Sequence, residues 1–287
     1  MIPKKLLLFL FLISVSVYGQ IKGVVLDQNN KPIPYASIWV ENENIGVSAE
    51  ENGTFTININ NGNKNLIISA LGFEKKIIKA SQAQTVQLIP LVFALDEVVV
   101  LNKKETKTIE IGKTDTQIYQ AFENGSKIDA KFFPYKPSYK KTKFIKQISI
   151  YTDSKIEEAA IRIHFYDVDS SGLPADELLN KNFIVIVKKG QRYSVFDVSD
   201  FNLLIGKKGI FVAIERLIIE KNKLEKTTTD LITKTTKVSK TYYPLILCGY
   251  VERPFLYGFY GGKWNKSNQE NTNIMVYEPA ITLVLSN

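Results

Sequence analysis

Short runs of alternating apolar and polar residues fill positions 21–88. They read G-V-V-L-D (23–27), K-P-I-P-Y-A-S-I-W-V (31–40), E-N-G-T-F-T-I-N-I (51–59) and L-I-I-S-A-L-G-F (66–73). Turn residues interrupt them at roughly the 8–12-residue spacing of an all-β domain. A period of two predicts strands with one face in a core. Ala36, Ile38 and Val40 share one face, and Tyr35, Ser37 and Trp39 the other. Phe55, Ile57 and Ile59 form a second apolar face, and Leu66, Ile68 and Ala70 a third. Pro32 and Pro34 confine their segment to an edge or a strand start, because proline donates nothing to a ladder. Asn52-Gly53 supplies the positive φ of a tight turn. With 77–79 and 85–88, about seven strands are predicted, enough for a small sandwich.

Beyond residue 100 the pattern lapses and then returns. Residues 101–108 are lysine-rich without apolar periodicity, and 101–112 is expected to be a linker. Ile118 and Phe122 stand four apart with Gly125 beyond them, which predicts one short helix over 114–124. Strands are expected at 145–152, 160–166, 183–188, 193–198, 209–219, 227–240, 245–251, 273–277 and 281–285. This makes 113–287 a second, larger β-sandwich, jelly-roll-like, after a first domain at 20–100. The expected fold class is therefore all-β throughout.

The first nineteen residues read differently. Lys4 and Lys5 precede the apolar run 6–18, and Val17 and Gly19 place small residues at the −3 and −1 sites. This predicts an export signal over 1–19, cleaved after Gly19 to leave Gln20 first. A run that short falls below the ~20 residues of a membrane span. No transmembrane segment is expected in the mature chain, and with no cysteine after the run, no lipid anchor there.

The 21–100 pattern, with Gly72-Phe73 closing one strand and L-D-E-V-V-V at 95–100, resembles the carboxypeptidase regulatory-like domain. The resemblance implies a transthyretin-like, Ig-like seven-stranded sandwich, of a kind that Bacteroidota append to cell-envelope proteins, TonB-dependent outer-membrane receptors among them. Lys31 before Pro32, and Ser48 and Glu50 near where Thr and Asp are usual, depart from the family pattern in its turns. Too few residues follow for a receptor barrel of about 22 strands. The run R-I-H-F-Y-D-V-D-S-S-G-L-P-A-D-E-L-L (162–179) is similar to a strand-turn-strand of uncharacterised flavobacterial envelope proteins and implies no activity.

The net charge of +8 falls to +6 once Lys4 and Lys5 are removed. Export argues against nucleic acid as a partner, and lysines spread along the chain read as a solvated surface. One histidine and one cysteine are too few for a zinc carboxypeptidase site, which needs three protein ligands. His164 alternates with Arg162 and Tyr166 on the more polar face of its strand, and Cys248 in L-I-L-C-G reads as a buried, inert thiol. Asp167, Asp169 and Ser171 match the first half of a calcium loop, but Leu178 stands where the closing glutamate belongs. A hairpin turn ending at Pro174 accounts for the same residues. Aromatics crowd 242–264, and Tyr257, Phe259, Tyr260 and Trp264 are candidates for a recognition surface, with core packing as the competing use. No catalytic group, cofactor or metal site is signalled. The expectation is a non-catalytic, exported binding or scaffolding protein of the periplasm or outer membrane. Its expected partner is an envelope protein or polysaccharide, with carbohydrate recognition or an accessory role in a hydrolase system as alternatives.

Overall fold

Thr54–Ile59 alternates between exposed and buried at every position, sending Phe55, Ile57 and Ile59 inward as their spacing predicts. The computed structural model describes residues 19–91, 103–114, 116–122, 125–267 and 272–287. Residues 1–18 of the expected signal over 1–19 and the run at 95–100 lie outside the described residues. Seven strands form the first sandwich. Thr54–Ile59, Gly19–Leu26 and Thr85–Gln87 make one sheet, and Gly46–Ser48, Ser37–Val40, Asn65–Ser69 and Lys76–Lys79 the other. Val25, Ile38, Leu66 and Ile68 fill the space between them. Gly53 turns with φ +76°, and a β-carbon there would lie 2.7 Å from the Val25 carbonyl oxygen.

The second domain packs two seven-stranded sheets face to face. One runs Pro174–Glu177, Ala159–Val168, Ile210–Arg216, Ile128–Phe133, Tyr257–Tyr260, Lys263–Lys266, with Phe183–Val187 also on Ala159–Val168. The other runs Ile274–Pro279, Leu245–Arg253, Phe144–Ser154, Ile281–Ser286, Thr108–Ile111, with Gly190–Asp197 and Tyr119–Ala121 pairing from the side. Ile161, Ile163, Phe165, Val212 and Ile214 of the first sheet meet Ile148, Ile150 and Leu283 of the second. Short 3₁₀ turns are the only helical segments among the described residues, and no helix there is long and apolar enough to cross a membrane.

Three expected elements differ. The described residues of 114–124 form no helix, and Tyr119–Ala121 is instead a strand that pairs with Leu245–Arg253. One apolar i, i+4 pair gives so short a helix little stability of its own. Gly249 lets this segment approach, since a β-carbon there would meet Thr114 Cγ2 at 2.3 Å. The expected linker contains Thr108–Ile111, an edge strand on Ile281–Ser286; its T-I-E-I alternation is too brief to stand out beside the lysines. The single strand expected over 227–240 is a hairpin of Lys223–Thr229 and Thr236–Tyr242. Asp230 turns it by accepting the amides of Ile232 and Thr233, without the glycine or proline that would have marked the turn.

A further difference places the candidate site. Ser37–Val40 is buried on both faces, because the four-stranded sheet of the first domain lies against the outer face of the second domain's Ala159–Val168 sheet. Trp39 and Ile67 cluster there with Ala130, Phe211, Ala213 and Tyr257. At this joint Gly262 is required by contact, since a β-carbon would stand 2.2 Å from Ile67 Cδ1.

Candidate functional site

Alternation along Ala159–Val168 sends Arg162, His164 and Tyr166 away from their own core and into the joint. Ile210–Arg216 sends Glu215 to the same face, opposite Arg162 in the ladder. Ser37 faces them from the first domain, so that a hydroxyl of one sandwich meets the buried charged groups of the other. Glu215 is 3% exposed. Its Oε1 accepts a hydrogen bond from Ser37 Oγ at 2.7 Å, and its Oε2 lies 3.0 Å from Arg162 Nη1 and 3.1 Å from His164 Nε2. His164 Nδ1 lies 2.6 Å from Glu177 Oε2, while Glu177 Oε1 accepts the Phe165 amide at 2.9 Å. Arg162 Nη2 donates to the Tyr35 carbonyl, and Tyr35 holds φ at +57°. His164 is therefore not a strand residue on a solvated polar face but a buried bridge between two glutamates. The sequence pattern shows the polar face and gives no sign that another domain covers it.

Burial opposes ionisation of Glu215, but the Arg162 and His164 charges and the Ser37 hydrogen bond outweigh it and take its pKa down to about 2. Burial also opposes the His164 imidazolium, and Glu177 and Glu215 overcome it, raising the His164 pKa above its ordinary value. Burial, reinforced by Glu177 and Glu215, holds the Tyr166 hydroxyl protonated far above the usual range. Each member of the cluster holds another's charge in place, an arrangement that fixes the joint.

The cluster itself lines a cleft of about 370 Å³, with Trp39, Phe73, Tyr166, Asp176, Phe259 and Trp264 also in its walls. Trp264 packs edge-on to Tyr166 at 5.3 Å and to Phe259 at 5.5 Å, and Phe259 edge-on to Trp39 at 5.6 Å. Trp39 Nε1 and Arg162 Nε are buried and have no hydrogen-bond partner among the described residues. Of the four aromatics singled out from sequence, Phe259 and Trp264 therefore come together in this cleft. Tyr257 is 4% exposed in the joint and Tyr260 is 39% exposed. Asp169 Oδ1 accepts the amides of Ser171 and Leu173 at 2.7 and 2.8 Å, building the hairpin turn that precedes Pro174. Asp167 is exposed at the end of its strand. No group of three His, Cys, Asp or Glu side chains suited to a metal occurs among the described residues. Cys248 is a buried free cysteine, and burial pushes its thiol pKa up to about 12.

The hairpin Lys223–Thr229/Thr236–Tyr242 is a second notable surface. It pairs with no other strand among the described residues and is exposed along most of its length. At its tip Leu231 is 82% and Ile232 92% exposed. Lys226 and Lys237 share one face of the ribbon, by its register, and Lys234 follows the apolar pair.

No curated protein matches the chain. One solved structure it is similar to is described as "Structure of infectious bursal disease virus Gx strain", with 10% identity and a TM-score of 0.25, covering 87% of this chain and 59% of that one. A likeness at that level carries no argument. Residues 21–100 match the family model of the CarboxypepD_reg-like domain, which identifies the N-terminal sandwich as a regulatory-like domain.

Proposed function

We propose that this is a non-catalytic, exported envelope protein of Bacteroidota that binds or scaffolds an envelope partner in the periplasm or at the outer membrane. The observation that carries the reading is the apolar tip of the ribbon. Two large aliphatic side chains left almost wholly in water, on an arm turned by Asp230, offer area that gains stability only against a partner. Lysines along the arm add attraction to anionic surfaces. The buried charges of the joint support the same reading, because they bind one another and lock two sandwiches into a platform for the arm. Capture from envelope extract by the purified chain, beside Leu231→Asp/Ile232→Asp, tests it. A partner retained by the first and lost by the second, with both proteins folded, is the expected result. Equal capture by both overturns the reading.

Carbohydrate recognition is the second reading, and the cleft favours it. Aromatic edges beside Asp176 form the mixed apolar and polar surface that a sugar ring meets. Saturable glycan binding weakened by Asp176→Ala supports it, and a glycan array with no saturable ligand removes it.

A further inference from the structure

A cavity of about 490 Å³ opens in the second domain, away from the joint's polar cluster, near the end of Ile128–Phe133 and the end of Leu245–Arg253. Phe132, Phe133, Tyr139, Phe255, Leu256 and Tyr257 give it a mostly apolar wall. Its polar part is built from three side chains on three strands. Lys131 Nζ donates to the Gly112 carbonyl at 2.6 Å and lies 3.3 Å from Glu278 Oε2, both side chains being under 5% exposed. Arg253 Nε donates to Glu278 Oε1 at 2.6 Å from the cavity's open side. Gly112 is obligatory here, with φ +76° and a would-be β-carbon 2.2 Å from Phe133 Cε1. Any other residue would push the carbonyl off Lys131 or displace the Phe133 ring.

The charges in this pocket do not cancel. Lys131 and Arg253 are two cations sharing one anion, while Lys113 in the lining is paired with Glu110 at 3.7 Å and Lys136 is exposed to solvent. A buried ammonium with incomplete compensation is costly, and burial accordingly pulls the Lys131 pKa down while Glu278 pulls it back up. One further negative charge would complete the balance, and the apolar wall leaves room for the body that carries it.

We propose that this cavity is a binding site for an organic monoanion, a carboxylate head on an apolar body, with the head on the cavity side of Lys131 and Arg253, away from Glu278, and the body along Phe132, Phe255 and Leu256. The surplus of one cation selects a monoanion over a phosphate dianion, and the mostly apolar wall excludes small hydrated anions. The site shares Ala130 and Tyr257 with the packing of the joint but none of its polar cluster, and no residue with the ribbon, so it stands whether or not either serves the envelope partner.

Calorimetric titration of the purified chain with decanoate tests it, with 1-decanol, acetate and decyl phosphate as comparison arms. One saturable decanoate site per chain is expected, with 1-decanol and acetate at least tenfold weaker. Arg253→Gln leaves Lys131 and Glu278 as a balanced pair and is expected to lower decanoate affinity at least tenfold. Lys131→Met, leaving Arg253 and Glu278, is expected to do the same; should it fail to fold, the side chain of Arg253, 38% exposed, still provides the test. Decanol binding as tightly as decanoate, decyl phosphate binding more tightly, an unchanged affinity in Arg253→Gln, or no saturable decanoate site would each overturn the proposal.

Discussion

Ser37 and Glu215 stand 178 residues apart in the chain and 2.7 Å apart in space, and the bond between them joins the regulatory-like sandwich to the larger one. Behind it, Arg162 and His164 hold the same carboxylate from within the second domain. The two sandwiches thus meet across a buried polar cluster rimmed by aromatics, and this is what turns two modules into one platform.

Removing Arg162 leaves Glu215 ionised and poorly paired in a dry joint. Arg162→Ala is expected to cost about 3–5 kcal/mol, the usual range for breaking a buried ion pair from one side. Ser37→Ala, which removes one hydrogen bond to a charge, should cost about 1–3 kcal/mol. Urea unfolding measures both. An Arg162→Ala loss below about 1 kcal/mol would mean that the pair is as exposed as a surface ion pair.

The pH dependence follows from the two shifts. Glu215, lowered from 4.5 to about 2, contributes stability that is present above pH 4.5 and lost as pH falls towards 2. His164, raised above 6.5, contributes stability that is full below pH 6.5 and lost as pH rises through its folded value. The joint should therefore be firmest between about pH 4.5 and 6.5. His164→Gln should remove the alkaline decline and leave the acid one. Urea midpoints across this range check it, and an alkaline decline of the same size in His164→Gln would refute the assignment.

Trp264 and Tyr260 differ in what surrounds them. Trp264 is wedged between Tyr166 and Phe259, so Trp264→Ala should cost about 3 kcal/mol. Tyr260 is more open, and Tyr260→Ala should change stability by about 0.5 kcal/mol or less. Thermal denaturation of both variants distinguishes them; equal losses would place both rings in the same packing.

Much of the first sandwich is legible in the sequence, because each strand has one face in a core and one in water or against a partner, and alternation registers that directly. Phe55, Ile57 and Ile59 are read from spacing alone. The joint is not legible in this way. Arg162, His164 and Tyr166 alternate with Ile161, Ile163 and Phe165 just as a solvated face does, and only the docked Ser37–Val40 sheet makes that face an interior. Trp39 and Ile67, which meet that face in the joint, are large apolar residues opposite the faces that carry Ile38 and Ile68. The ribbon was missed for a different reason: T-T-D-L-I-T-K turns on an aspartate side chain, so no glycine or proline divides its two strands. Lys131 and Glu278 are 147 positions apart, and no local pattern pairs them.

Processing is tested by N-terminal sequencing of the protein isolated from cells. Cleavage after Gly19 leaves Gln20 as the first residue, with Ile21 still in place opposite Ile57. An intact N-terminus at Met1 in cytoplasmic material would rule out export.

The central claim, that the chain works by surface contact through its ribbon, is tested most directly by a photo-crosslinking amino acid placed at position 232 in the living cell, with position 31 on an exposed turn as control. The account predicts a discrete envelope adduct from 232, absent from 31 and lost when Leu231→Asp is added. No adduct from 232, or the same adduct from both positions, would contradict it.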